Sequence, residues 1–254
     1  MAPFRQVTLL GMRVADVDAG GLLDHVFSEL AAGRGGWIVT ANLDILRRYA
    51  LDSDARALYD AADLRVADGM PLVWASQIAG RPLPERVAGS SLTVAIAERA
   101  AEEGRSLYLL GGAEGAAAGC RAELEERFPN LEITGTSSPR VSAPTPWSEA
   151  EAIAAAVDGE PDIILVGLGS PKQEHLIQKL KQRFPKAWLM GVGITFSFVA
   201  GEVSRAPAWM QRTGLEWVHR MVQEPDRLVR RYLIEDLPFA ALLFGEALFE
   251  RVRH

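Results

Sequence analysis

Cysteine is nearly absent from this 254-residue sequence: Cys120 stands alone, beside four histidines. That excludes an intramolecular disulfide framework and a cysteine-based zinc site, and it fits a chain kept reduced in a cytoplasm. Cys120 itself reads as a small apolar residue on a helix. Long hydrophobic runs are missing as well. The longest near the C-terminus, "LPFAALLFG" from Leu237, falls far short of the ~20 residues a membrane span needs. The opening "MAPFRQVTLLGMRV" has no apolar stretch behind a basic start, so no signal peptide is expected. Positive charge is in deficit too, with 27 Lys and Arg against 33 Asp and Glu, a net −6. The chain as a whole is therefore not built to attract nucleic acid. No internal repeat is visible. "LLGGAEG" lacks the G-x-G-x-x-G spacing of a dinucleotide site, which argues against a nicotinamide-dependent oxidoreductase.

What is present is ordinary globular composition, 48% hydrophobic and 24% charged. Short apolar runs alternate with helical patterns. Strands are expected at "VTLL" (7–10), 37–40, 64–67, 106–110, 131–135, 162–167 and 187–193. Helices are expected at 20–33, 43–60, 70–79, 90–103, 113–128, 148–158 and 172–183. Near-continuous apolar strands separated by helices predict an α/β fold with a Rossmann-like parallel sheet covered on both faces. "TSSPRVSAPTPW" (136–147) reads as a surface connection or a mobile flap. The alternation stops after Gly201. The rest is helical with an interruption at Pro225, which suggests an α/β catalytic domain over 1–201 and a helical appendage over 202–254.

Ligands of open parallel sheets bind beyond the carboxyl ends of the strands. Those ends carry Thr40, Asn42 and Asp44; Asp68 and Gly69; Gly111 and Gly112; Gly169, Ser170, Lys172, Gln173 and Glu174; and Thr195. Glycines admit backbone N–H groups to an anion, and helix N-termini add a positive dipole end. The set suits a phosphate-bearing substrate. Each piece also has a plain structural reading: Asn42 as a helix N-cap, Ser170 as an N-cap with Pro171 at the first helical position. Asp68 is the odd member, a carboxylate closing the strand-like "LRVA" just before Gly-Met-Pro. "DSD" at 52–54 has a metal-binding spacing, but it falls inside a predicted helix and reads as a cap. His175 reads as a helix surface or packing residue, and no metal site or cofactor is expected. Between Arg205 and Arg231 six arginines (205, 212, 220, 227, 230, 231) face three acids (Glu216, Glu224, Asp226), a local +3 without lysine. The guanidinium fork suits phosphate oxygens, although a solvated helix face would look the same.

The motifs "TANLDILRRY", "ADGMPLVWASQIAG", "RVAGS", "LYLLGG", "VGLGSPKQE" and "GVGITFSFVAGEVSRAPAWMQRTGLEWVHRMVQEPDRLVRRYL" occur in this order over most of the chain. Together they closely resemble the WecG/TagA/CpsF glycosyltransferases. The resemblance implies a metal-independent, inverting enzyme that moves an N-acetylmannosamine or uronic-acid type sugar from a UDP donor. The acceptor would be a polyprenyl-diphosphate-linked glycan at the inner face of the cell membrane, in teichoic acid, common antigen or exopolysaccharide synthesis. It implies Asp68 as catalytic base, Thr40 and Asn42 as a substrate-contact motif, and Gln173 as a donor-binding amide. Arg220, Arg227 and Arg230 would close over the site. Gly69, Met70, Arg86, Gly89, Gly111, Gly112, Gly169, Ser170, Lys172 and Arg205 lie in the same motifs as candidate substrate contacts.

The sequence departs from the family pattern at Ser91 and Ser197, where members carry an acid. Neither position is carried over as a contact. A catalytically impaired nucleotide-sugar-binding homologue therefore stays open as an alternative. The apolar "LPFAALLFGEALF" is expected to pack on the core or a sister subunit in a homo-oligomer, or to rest on an anionic membrane surface.

Overall fold

The computed structural model describes residues 3–141 and 147–253, leaving out the side chains of Trp147, Arg212 and Arg227. Residues 142–146, most of the second half of the expected Pro/Ser-rich loop, lie outside the described residues. The first element is a hairpin of β1 (Gln6–Leu9) and β2 (Met12–Ala15), paired antiparallel. Its two turn residues, Leu10 and Gly11, both have positive φ, 47° and 88°. That is the two-residue connection whose twist matches a hairpin. The expected strand at 7–10 thus exists, but it pairs with β2, for which the sequence gave no expectation, and it stands outside the main sheet.

The main sheet follows the expected alternation. After α1 (Ala19–Ala31), capped by Asp18, come β3 (Gly36–Ala41), α2 (Leu43–Leu51), α3 (Ser53–Asp60), β4 (Leu64–Ala67), α4 (Met70–Ile78) and α5 (Gly89–Glu103). Then follow β5 (Ser106–Gly111), α6 (Ala116–Arg127), β6 (Glu132–Ser137), α7 (Trp147–Ala155), β7 (Ile163–Gly167), α8 (Lys172–Arg183), β8 (Trp188–Gly191) and α9 (Thr195–Val199). The strand order is β4-β3-β8-β7-β5-β6, all parallel. The predicted helix at 43–60 is broken in two at Asp52. Asp52 is extended, and its side chain accepts from the N–H groups of Asp54 and Ala55 at 2.8 and 3.2 Å. "DSD" is therefore a helix cap in the structure.

Alternation along each strand feeds two cores. Trp37, Val39, Tyr108, Leu110, Ile164, Val166 and Leu189 go to one face; Ile38, Leu107, Leu109, Ile163, Leu165 and Met190 go to the other. Burial on both faces explains why these strands read as unbroken apolar runs. Cys120 is buried on α6 in the second core, as its sequence context suggested.

Beyond Gly201 the described chain is helical: α10 (Ala208–Arg212), α11 (Glu216–Gln223), α12 (Pro225–Val229), a π-turn (Arg230–Asp236) and α13 (Leu237–Arg253). In the π-turn the hydrogen bonds span five residues, as in Leu237 N–H to Tyr232 O. That widening stacks residues five apart, and the ion pairs Arg230–Glu235 (3.7 Å) and Arg231–Asp236 (3.6 Å) follow the same spacing. One face of α13 returns to the core: Phe239, Leu243 and Ala247 are buried in the cluster that contains Leu72 and Ala75 of α4. Its other face leaves Leu237, Leu242, Leu248, Phe249 and Val252 exposed. No helix among the described residues is long and apolar enough to cross a membrane.

Candidate active site

A cleft of about 970 Å³ lies over the carboxyl ends of β3, β4, β7 and β8, with helical tail residues forming its outer wall. The size is that of a drug- or nucleotide-scale ligand pocket. Of the residues singled out in the sequence, Thr40, Asn42, Asp68, Gly69, Met70, Arg86, Gly89, Gly112, Gly169, Ser170, Gln173 and Arg220 line it. Gly111 sits one residue inside β5, and its φ of +104° turns the chain toward the cleft at Gly112. Lys172 faces an adjoining smaller pocket and donates from Nζ to the Val141 carbonyl at 2.8 Å.

The strand β4 ends on Asp68 because backbone and side chain are used separately. Its N–H donates to Ala41 O at 2.7 Å, which extends the parallel ladder by one rung. Its Oδ2 accepts from Gly89 N–H at 3.1 Å, at the start of α5. Gly89 and Thr40 crowd the carboxylate closely: a Cβ on Gly89 would lie 3.3 Å from Thr40 Oγ1 and 3.6 Å from Asp68 Oδ2. Burial is the dominant influence on this group and pushes its pKa up to about 7, against the pull of the Gly89 N–H and of Arg86. Glu216 adds to the rise, and Arg205 opposes it. A carboxyl poised near neutrality at a strand end can accept a proton from a hydroxyl group.

Gln173 is placed as a brace. Its Oε1 accepts from Gly169 N–H and Gly193 N–H, both at 3.1 Å, and its Nε2 donates to buried Glu174 at 3.0 Å. It thereby ties the loop after β7 to the loop after β8. Gly191 makes room for it, since a Cβ there would lie 2.4 Å from Gln173 Nε2. Beneath the same loops, Phe196 is fully buried and occupies the space that side chains at Gly112 and Gly167 would need. Asn42 caps α2 by accepting from Ile45 N–H at 3.1 Å, so the capping reading holds while the residue also faces the cleft. Ser170 is not a cap: Pro171 precedes α8, and the Ser170 hydroxyl pairs with Tyr59 Oη at 2.8 Å. His175 is half-buried on α8.

The tail contributes more than its expected arginines. Arg220 lines the cleft, stacks near Phe198 and pairs with Glu224 at 3.7 Å. Arg230 does not reach it; its side chain is 81% exposed and pairs with Glu235. The side chain of Arg227 lies outside the described residues. Arg231 faces inward instead, 3.3 Å from Asp44. Asp44, 2% exposed, also holds Arg47 and Arg48 at 2.8 and 3.2 Å, and Arg47 reaches on to Glu235 and Asp236. Burial alone would raise the Asp44 pKa, but Arg231, Arg48 and Arg47 more than offset it and hold the carboxyl below its ordinary value. This network pins the π-turn to the head of α2. Arg205 stands behind the cleft wall, donating to Ser91 Oγ at 3.0 Å, while Ser197 is buried at the cleft floor. Arg231 and Glu216 are the cleft residues that the sequence reading did not select; both had entered it only as tail charges. Among the described residues no three His, Cys, Asp or Glu side chains converge as metal ligands would.

Comparison with known proteins gives two findings. The family model described as "Glycosyl transferase WecG/TagA/CpsF family" matches residues 7–253. The chain is also similar to an N-acetylglucosaminyldiphosphoundecaprenol N-acetyl-beta-D-mannosaminyltransferase of Bacillus spizizenii. The two are 32% identical over 232 residues, 87% of this chain and 88% of that protein.

Proposed function

From the premise that the chain belongs to the WecG/TagA/CpsF family of glycosyl transferases, we propose that it transfers an N-acetylmannosamine-type or uronic-acid sugar from a UDP donor. The acceptor is a sugar on a polyprenyl diphosphate, and the product serves a cell-surface polymer such as a teichoic acid or exopolysaccharide. The relative's name, which specifies a diphosphoundecaprenol-linked acceptor and an N-acetylmannosaminyl group, supports the choice of substrates. The observation that carries the mechanism is Asp68, a carboxylate with pKa about 7 at the strand ends of the cleft. In this reading Asp68 takes the proton of the acceptor hydroxyl as that oxygen attacks the anomeric carbon. The bond to the diphosphate breaks from the opposite side, so a single displacement inverts the configuration. Asp44, Asp236 and Glu216 at the same cleft are each held by arginines, which leaves Asp68 the carboxylate placed to act. Arg86, Arg220 and Arg231 face the cleft and neutralise the leaving diphosphate, bidentate recognition of phosphate being the strength of arginine.

The test is release of UDP and formation of glycosylated lipid when the protein meets a UDP-sugar panel and a short-chain polyprenyl-diphosphate acceptor. Product with a UDP-sugar is expected, and full activity should survive EDTA because arginines supply the charge neutralisation. Loss on chelation with recovery by magnesium or manganese would overturn the metal-free mechanism.

Residues 1–201 act in this reading as the catalytic core, and 202–254 as the appendage that closes it at the inner face of the membrane. The exposed Leu248, Phe249 and Val252 on α13, with Arg251 and Arg253 alongside, form the contact with anionic lipid. The buried face of α13 stays in the core, so the test uses substitutions on the outer face. Leu248→Glu with Phe249→Glu should abolish flotation with anionic liposomes and leave turnover of a water-soluble acceptor unchanged. Undiminished flotation would rule out this surface. Attraction to the membrane is worth about 1 kcal/mol per arginine near the surface and weakens with salt.

A further inference from the structure

The tail brings a carboxylate into the cleft for which the transfer mechanism has no task. Glu216 opens α11, its side chain is 15% exposed, and both of its oxygens are engaged. Oε2 accepts from Arg86 Nη1 at 2.8 Å, and Oε1 lies 3.5 Å from Arg205 Nε. Arg205 donates onward to Ser91 Oγ. A relay Ser91–Arg205–Glu216–Arg86 therefore runs from the first turn of α5 to the cleft wall, joining three segments that are far apart in sequence. Arg86 and Glu216 line the cleft; Arg205 and Ser91 stand behind them.

We propose that Glu216 is a positioning residue for the transfer reaction, fixing Arg86 at the cleft wall and offsetting the positive charge of Arg86 and Arg205 around Asp68. The inference rests on the glycosyltransferase reading for its catalytic consequence. Two physical arguments support it. An arginine side chain has many rotamers, and one carboxylate at 2.8 Å, itself braced by Arg205, selects among them before a phosphate arrives. The second argument is electrostatic. Asp68 is faced by the Gly89 N–H from α5, Arg86 from the loop before it, Arg205 from the segment after α9, and Glu216 from α11. Without Glu216 two guanidinium groups would act on the carboxylate uncompensated. They would hold it more firmly ionised and make it a weaker base. Burial works in the opposite sense, and Glu216 keeps the balance on that side.

The decisive measurement needs no substrate. The side-chain carboxyl signals of 13C-labelled aspartates are titrated by NMR in the full-length protein, the Asp68 signal being assigned by its loss in Asp68→Asn. In Glu216→Gln the Asp68 midpoint should fall by about one pH unit, since a neighbouring like charge has been removed. In Arg205→Gln it should rise. The acid limb of kcat/KM should move with the midpoint in each variant, and the donor KM of Glu216→Gln should increase more than its kcat decreases at pH 8. Glu216→Asp, which keeps the charge, should retain the wild-type midpoint. If both Glu216→Gln and Arg205→Gln leave the midpoint unmoved, the assignment is wrong, because a purely structural residue would leave it so. Should no glycosyl transfer be found under any condition, the functional reading fails, while the NMR midpoints still decide the role of Glu216 toward Asp68.

Discussion

Replacing Asp68 with asparagine should lower kcat by about 10²–10⁴, the usual contribution of a positioned general base, with little change in donor affinity. The substitution keeps size and polarity and removes only the proton acceptor. In the wild type, kcat/KM should climb about tenfold per pH unit below pH 7 and level off above it, because the carboxylate has to be ionised to act. The variant should lack that limb. Stability distinguishes this from unfolding. The free side chain releases its proton near 3.8 and the folded one near 7, so between these values the native state binds more protons than the unfolded chain. The stabilisation from the protonated form is complete below the lower value and is lost as pH rises through the upper one. At pH 8 Asp68→Asn is relieved of a buried charge, so its melting temperature should not fall. Near-normal turnover in a well-folded variant would remove Asp68 from the role of base.

The largest effect on stability is expected at Phe196. Its side chain is fully buried beneath the strand-end glycines, with the Cβ position of Gly167 only 2.8 Å from the ring and that of Gly112 3.3 Å away. Phe196→Ala should destabilise the protein by about 3–5 kcal/mol, the range for a large aromatic removed from a packed core. Because Gly112 and Gly167 lie at the cleft edge, activity should drop at temperatures where the variant is still folded. Phe196→Leu should recover much of both. Denaturant unfolding followed by circular dichroism gives the comparison, and a loss below about 1 kcal/mol would mean that the loops collapse into the space.

Much of this architecture was readable from the chain. The strands of a sheet buried on both faces are short continuous apolar runs, and their carboxyl ends gathered Thr40, Asn42, Asp68, Gly169 and Gln173 as the fold requires. The hairpin partner β2 was not visible, because four residues containing Arg13 carry too little pattern to register as a strand. The break at Asp52 was hidden because apolar periodicity runs through both α2 and α3. In the tail, the interruption at Pro225 and the wider turn after it reset which arginine faces inward. No spacing rule marks that change, and Arg231 rather than Arg230 lines the cleft. Glu216 was legible as a charge but not as a partner of Arg86, because a contact between residues 130 apart has no trace in one sequence.

The π-turn makes the tail sensitive to length in a way that it is not sensitive to composition. A helix advances about 100° per residue. Removing any one residue between 230 and 236 would let the segment relax to ordinary α geometry and swing everything after it through that angle. Phe239, Leu243 and Ala247 would leave the groove they fill on α4, and the exposed Leu248 and Phe249 would turn with them. Drift among related chains should therefore accumulate here as exchanges of side chain, while gaps in this stretch would be tolerated only in pairs with a compensating insertion before α13.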